Sequence, residues 1–261
     1  MTERPVQDMP FLDHLEELRW RILWSLLGIA IGVGIAFFVV IRFDVLNLLQ
    51  QPIAPLLGGH KLVYTHPGDP FSIVMSTSLW LGVTLAFPVV GYNVWRFVAP
   101  ALYQHEKRIV LPLLIGAVLL FLGGVAMAYF VVIPLTLKFL LTFQVASLDP
   151  MITVQEYFSF TMSLIVSFGI AFELPIAVVL LTMIGLVTPQ LLQKFRRHAG
   201  VLCVVLGAFL SPGDAITATI AMALPLYVLY EMSVVLSYMV YRKKAKRAAA
   251  AEAEAAAEAT A

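Results

Sequence analysis

Stretches of twenty or more residues with almost no charged side chain restrict this chain's fold more than any other feature. Residues 22–41, 71–95 and 109–133 hold no Asp, Glu, Lys or Arg, and residues 157–187 hold only Glu173. A helix needs about 20 residues to cross a hydrocarbon core roughly 30 Å thick. Backbone amides and carbonyls find no water there, so only helices and closed barrels can span it. Barrel strands would read as weakly alternating segments of about ten residues. These runs are instead continuous and rich in Leu, Val and Ile. The fold class is therefore all-α, a polytopic membrane protein. Composition agrees, with 61% hydrophobic and 13% charged residues and a mean hydropathy of +0.91, far from a soluble domain.

Two further segments, from His198 to Leu210 and from Ala215 to about Tyr241, bring the expected number of transmembrane helices to six. An even count puts both termini on one side. Arg4, Arg19, Arg21, Arg96, Lys107, Arg108, Lys194, Arg196, Arg197 and the tail bases from Arg242 to Arg247 fall on that side. Only Arg42, Lys61 and Lys138 fall on the other, a ratio of fourteen to three. The positive-inside rule makes the first side cytoplasmic, so both termini are expected there. The net charge of +1 conceals this asymmetry and gives no reason to expect nucleic acid as a partner. The N-terminal segment carries acids and no small-residue cleavage site, so the first span is expected to serve as its own insertion signal. Residues 1–241 read as a single six-span membrane domain, and residues 242–261 as a basic, then Ala/Glu-rich cytoplasmic tail.

Glu173 is the chain's sharpest anomaly. A charge at mid-bilayer costs roughly 2.5–3.5 kcal/mol on insertion scales, so such residues usually face a cavity, a partner or an ion path. Its span is also too long, since residues 157–187 would reach about 46 Å as a straight helix. Pro175, two residues on, lacks an N–H and supplies a kink site. The fifth span has the opposite defect, with too few apolar residues between His198 and Ser211 to cross a normal bilayer. Ser211-Pro212-Gly213-Asp214 reads as a tight reversal, with Asp214 placed to cap the sixth helix. Pro225 is expected to interrupt that helix. Glu231 follows, and either solvation near the Arg242 cluster or contact with a partner accounts for it. Gly28 with Gly32, and Gly124 with Ala128, have the small-residue spacing that lets helices approach closely.

Before the first span, Phe11, Leu12, Leu15 and Leu18 share one helical face and leave the acids on the other. This segment is expected to lie along the membrane surface. Cys203 is single and reads as packing. No His cluster, HExxH, GxSxG, P-loop or GxGxxG is present. The expectation is no enzyme, no cofactor and no metal site.

Three stretches together resemble one family. They are His14-Leu15-Glu16-Glu17-Leu18-Arg19, then Phe97-Val98-Ala99-Pro100-Ala101-Leu102-Tyr103-Gln104-His105-Glu106, and Phe172-Glu173-Leu174-Pro175. With Ala128-Tyr129-Phe130, Pro134 and Ser211-Pro212-Gly213-Asp214, they resemble TatC, the polytopic subunit of the twin-arginine protein translocase. The resemblance implies short fifth and sixth helices and a concave, cup-like face. It implies recognition of twin-arginine signal peptides on folded proteins, and their export driven by the proton-motive force across the bacterial cytoplasmic (inner) membrane. Implied partners are TatA-like and TatB-like single-span subunits, membrane lipid, and further copies of the chain in a receptor complex.

Matched position by position, the resemblance assigns signal-peptide binding to Glu17 and Glu106, with Leu18, Arg19, Phe97 and Tyr103 nearby. Glu173 becomes the intramembrane polar residue of the concave face, and Asp214 and Glu231 become partner or signal contacts. Physical chemistry supports the first assignment, because a carboxylate can take a planar guanidinium through two bonds. Arg19, Arg21, Lys107 and Arg108 would repel a poorly placed cationic signal. The competing reading is a proton-coupled secondary transporter of a small solute, with Glu173 carrying the proton. Such transporters lead one to expect inverted repeats, and the long fourth span has no counterpart in the first three. A purely structural scaffold is the third class.

Overall fold

A computed structural model describes residues 11–57, 61–98, 110–142, 151–210 and 216–260. Ten α-helices carry the described chain: α1 Phe11–Arg42, α2 Val45–Gln50, α3 Asp69–Val98, α4 Val110–Met127, α5 Ile133–Thr142, α6 Val154–Ala171, α7 Leu174–Met183, α8 Pro189–Lys194, α9 Arg196–Leu210 and α10 Ile216–Thr260. A π-helical turn, Ala128–Val132, joins α4 to α5. The strand-like pairing described is an isolated bridge between Val63 and Thr153. Five stretches are long and apolar enough to cross a membrane: Leu15–Arg42, Asp69–Phe97, Leu111–Leu141, Val154–Met183 and Met222–Lys243. At 15 residues, α9 reaches only about 22 Å, short of a bilayer core as expected.

The chain forms two compact units, one from Met1–Val45 and Val74–Leu114, the other from Leu46–Ile73 and Ile115–Ala261. In the first, α1 and α3 pack antiparallel through small residues. A Cβ on Gly32 would stand 2.6 Å from the Gly82 carbonyl oxygen, one on Gly82 would stand 2.5 Å from Val33 Cα, and one on Gly28 would stand 2.8 Å from Val89 Cγ1. The expected close approach at Gly28 and Gly32 is thus made within the chain. Between lipid-exposed helices there is little hydrophobic gain, so such backbone contact provides the dispersion that holds the pair.

In the second unit, α4 runs antiparallel to α6. A Cβ on Gly124 would come within 2.5 Å of the Phe168 carbonyl oxygen, and one on Gly169 within 2.8 Å of the Phe121 ring. Residues 46–57 fold over this unit, with Ile53 fully buried. The Tyr129 hydroxyl donates to the Leu48 carbonyl and the Tyr157 hydroxyl to the Leu49 carbonyl, each at 2.6 Å. Within the Pro-rich stretch 42–70, whose shape the sequence left open, Leu48 and Leu49 are thereby pinned to the third and fourth spans. The Thr153 side chain caps α6 by accepting from the Glu156 amide, and Thr188 caps α8 by accepting from Leu191.

Three expectations need correction. The segment from Phe11 is one continuous helix with the first span, so it shares the span's axis and does not turn to lie on the surface. Nothing breaks that helix, because the stretch holds neither Gly nor Pro until Gly28. The sixth helix is not short: α10 has 45 residues. Nor does Pro225 interrupt it, since Pro225 lies inside the helix. A missing N–H is tolerated in a spanning helix when neighbouring helices pack around the gap. A Cβ on Gly207 of α9 would be 2.9 Å from the Ala223 amide nitrogen, so α9 supports that turn. Beyond Pro225 the sequence contains no Gly or Pro, and its Ala, Glu and Lys residues extend the helix to Thr260.

Candidate functional site

The fourth span is broken at Glu173. α6 ends at Ala171 and α7 starts at Leu174, with Pro175 in its first turn. The Glu173 amide bonds back three residues to Ile170 at 3.0 Å, whereas the Ala177 amide bonds to the Glu173 carbonyl in the regular four-residue pattern. A tightened turn therefore sits where Pro175 removes a donor. Glu173 is half-buried, and its Oε1 is buried with no hydrogen-bond partner among the described residues. The expected kink and the expected intramembrane acid coincide. On α4, Gly124 allows close approach of Phe172, the residue before Glu173, since a Cβ there would lie 2.9 Å from Phe172 Cβ.

Glu17, Leu18 and Arg19 lie near the start of α1, and Phe97 near the end of α3. The antiparallel pairing of those helices places them at the same end of the pair. Glu17 and Leu18 are half-buried and Arg19 is exposed. The Arg21 guanidinium donates to Glu17 Oε1 at 2.9 Å. The other Glu17 oxygen, Oε2, and Arg21 Nε are buried without partners among the described residues. Arg21, expected to repel a cationic signal, is instead bonded to the proposed receptor acid. Their spacing of four residues is a helical neighbour relation, so the pair was open to reading from the sequence. Tyr103 and Glu106, and with them the loop 99–109, lie outside the described residues. So does Asp214 with its expected turn.

Glu231 has a definite partner. Arg196, at the start of α9, donates from Nε to Oε1 at 2.5 Å and from Nη2 to Oε2. That hydrogen-bonded carboxylate holds Arg196 charged, above its ordinary range. Arg242 does not take this role; its guanidinium lies 5.1 Å from the centre of the Tyr238 ring. Beside the pair, the Tyr230 hydroxyl donates to the Leu192 carbonyl at 2.5 Å, so α8, α9 and α10 are tied at one end. Deeper in, the hydroxyls of Thr182 on α7 and Ser237 on α10 meet at 2.8 Å, fully buried. Cys203 is buried, in keeping with packing.

These features define a class: an all-helical polytopic membrane protein with a span broken at a half-buried acid and a short penultimate helix. The sequence matches the family model "Sec-independent protein translocase protein (TatC)" over residues 13–225. The TatC of Aquifex aeolicus is 42% identical over 238 residues, covering 90% of this chain and 98% of that protein. The TatC of Escherichia coli K12 is 38% identical over 231 residues, covering 87% of this chain and 88% of that protein. Two crystal structures of a twin-arginine translocase receptor TatC superpose with TM-scores of 0.75 and 0.77, at 41% and 42% identity. They cover 87% and 86% of this chain and 99% of each of those chains. This chain belongs to the TatC family.

Proposed function

We propose that this chain is the receptor subunit of a twin-arginine translocase. It recognises signal peptides bearing paired arginines and, with TatA-like and TatB-like single-span subunits, exports folded proteins at the expense of the proton-motive force. The observation that carries this reading is the family match over residues 13–225, to which the likeness to a twin-arginine translocase receptor adds support. Six spans follow if the short α9 counts as the fifth, which sets both termini on the cytoplasmic side of the bacterial inner membrane, where Lys and Arg concentrate.

Glu17 and Glu106 receive the two guanidinium groups, flanked by Leu18, Arg19, Phe97 and Tyr103. For Glu17 this means exchanging an internal guanidinium, that of Arg21, for the signal's own. An incoming arginine thus competes with a bond already made, which discriminates against Lys because Lys cannot bond bidentately. Glu173, with a buried oxygen lacking a partner among the described residues, takes a later contact, offering a polar point to an inserted signal or partner helix on a concave face. Asp214 and Glu231 are partner or signal contacts, Glu231 by exchange of its Arg196 bond. Several copies assemble in the receptor complex.

Site-specific crosslinking of a twin-arginine peptide at positions 17, 106 and 173 tests this reading. Labelling at 17 and 106 without translocation, and at 173 only with partner subunits present, is expected. If Glu106→Gln leaves crosslinking unchanged while Lys107→Gln abolishes it, the site is misassigned.

A further inference from the structure

One end of the α1 and α3 pair holds three buried polar atoms with nothing to bond. Glu17 Oε2, Arg21 Nε and Trp95 Nε1 are all without partners among the described residues. Gly28 stands opposite Val89, and Gly32 opposite Gly82 and Ala86. In an antiparallel pair that register brings Arg21 and Trp95, each about two turns nearer the same end, roughly level. Trp95 is 6% exposed, and the side chains of Arg21 and Glu17 are 18% and 20% exposed.

A guanidinium and a carboxylate can form two parallel hydrogen bonds. Arg21 and Glu17 form one, from Nη2 to Oε1 at 2.9 Å. Both side chains leave the same helix four residues apart, and in that tethered geometry Oε2 and Nε stay unbonded. Buried groups left in that condition weaken the resting arrangement. A guanidinium arriving from outside α1 has no such tether and can take both oxygens.

We propose that Arg21 is a built-in competitor for the receptor acid, an internal arginine that occupies Glu17 through a deliberately incomplete bond until a signal arginine displaces it. Arg21 in this role presupposes the export reading and adds a regulator to it. Every cationic ligand must break the same internal bond, so the competitor weakens paired arginines and paired lysines by one common factor. The ratio between them comes from the two-bond grip on Glu17. The common factor sets a threshold that only the stronger ligand clears.

Binding of a fluorescent twin-arginine signal peptide to the full chain with its single-span partners in lipid nanodiscs, followed by anisotropy, tests this. Arg21→Gln is expected to tighten binding by about threefold to tenfold, the effect of removing one half-buried charge-assisted bond from the resting state. A peptide with paired lysines gains by the same factor, and Arg21→Lys, which still reaches the acid, stays near the wild type. Arginine-selective labelling with phenylglyoxal, mapped by mass spectrometry, gives a second readout: Arg21 becomes more reactive when peptide is bound, while Arg242 does not change. Circular dichroism and melting verify that the variants are folded.

Weaker or unchanged binding by folded Arg21→Gln overturns the proposal, because Arg21 would then position Glu17 or ignore it. So does an Arg21 more protected in the complex, or a paired-lysine peptide that gains nothing. Glu17→Gln tests the underlying reading separately. If that variant binds the peptide as the wild type does, Glu17 is not in the receptor site and the competitor falls with it; if it loses binding while Arg21→Gln gains, both stand.

Discussion

Arg196 and Glu231, 35 positions apart, meet through two guanidinium–carboxylate hydrogen bonds that tie the start of α9 to α10. Arg196→Glu is expected to lower the melting temperature of the purified subunit, by setting two carboxylates against each other. Glu231→Arg in the same chain should recover most of the loss. A thermal-shift series across the four combinations checks this. If the double exchange is as unstable as the worse single variant, the pair is not the source of the effect. Half of the Arg196 side chain is exposed, so high salt should shrink every difference.

The backbone contact between α1 and α3 makes a sharper stability prediction. Gly82→Ala places a methyl 2.5 Å from Val33 Cα and is expected to cost about 1–3 kcal/mol by overpacking. Gly34→Ala, with nothing within 4 Å, should be neutral or slightly stabilising, since Ala is the better helix former. Reversible unfolding in mixed micelles compares the two.

Removing the Tyr157 hydroxyl leaves the Leu49 carbonyl unpaired. Tyr157 is 2% exposed, so Tyr157→Phe should cost about 1–3 kcal/mol, the penalty of a buried unsatisfied acceptor. Tyr129→Phe, at a half-buried ring, should cost less. Both should speed hydrogen exchange of backbone amides in residues 45–57 and leave α9 and α10 unaffected.

Glu173 should show a trade of stability against activity. Its Oε1 is buried without a hydrogen bond among the described residues, so Glu173→Leu is expected to stabilise the isolated subunit by about 1–3 kcal/mol while reducing export. Unfolding of the variant alone and a transport assay in membrane vesicles would be read together. A less stable variant with full export would remove Glu173 from the mechanism.

Much of this was legible in the sequence because it depends on local chemistry. Charge-free length located the spans, Pro175 located the break at Glu173, and the poverty of apolar residues after His198 gave the short α9. What escaped depends on neighbours distant in the chain. Nothing near Glu231 in sequence points to Arg196, so its sequence reading stayed divided between solvation near the Arg242 cluster and contact with a partner. Pro225 looked like an interruption because the packing of Gly207 against that turn is a tertiary fact. The π-helical turn at Ala128–Val132 has no composition of its own. Arg21, four residues from Glu17, was readable but was weighed as a repelling charge and not as a helical neighbour.

The unbroken course of α10 has a mechanical consequence. From Lys243, the end of its apolar stretch, to Thr260, the helix projects about 26 Å. A rigid rod of that length acts as a lever arm: tilting the span by about 10° sweeps its tip through about 5 Å by the same helical geometry. Small rocking of the last span is thereby converted into a displacement large enough for a distance probe, such as a pair of spin labels, to follow.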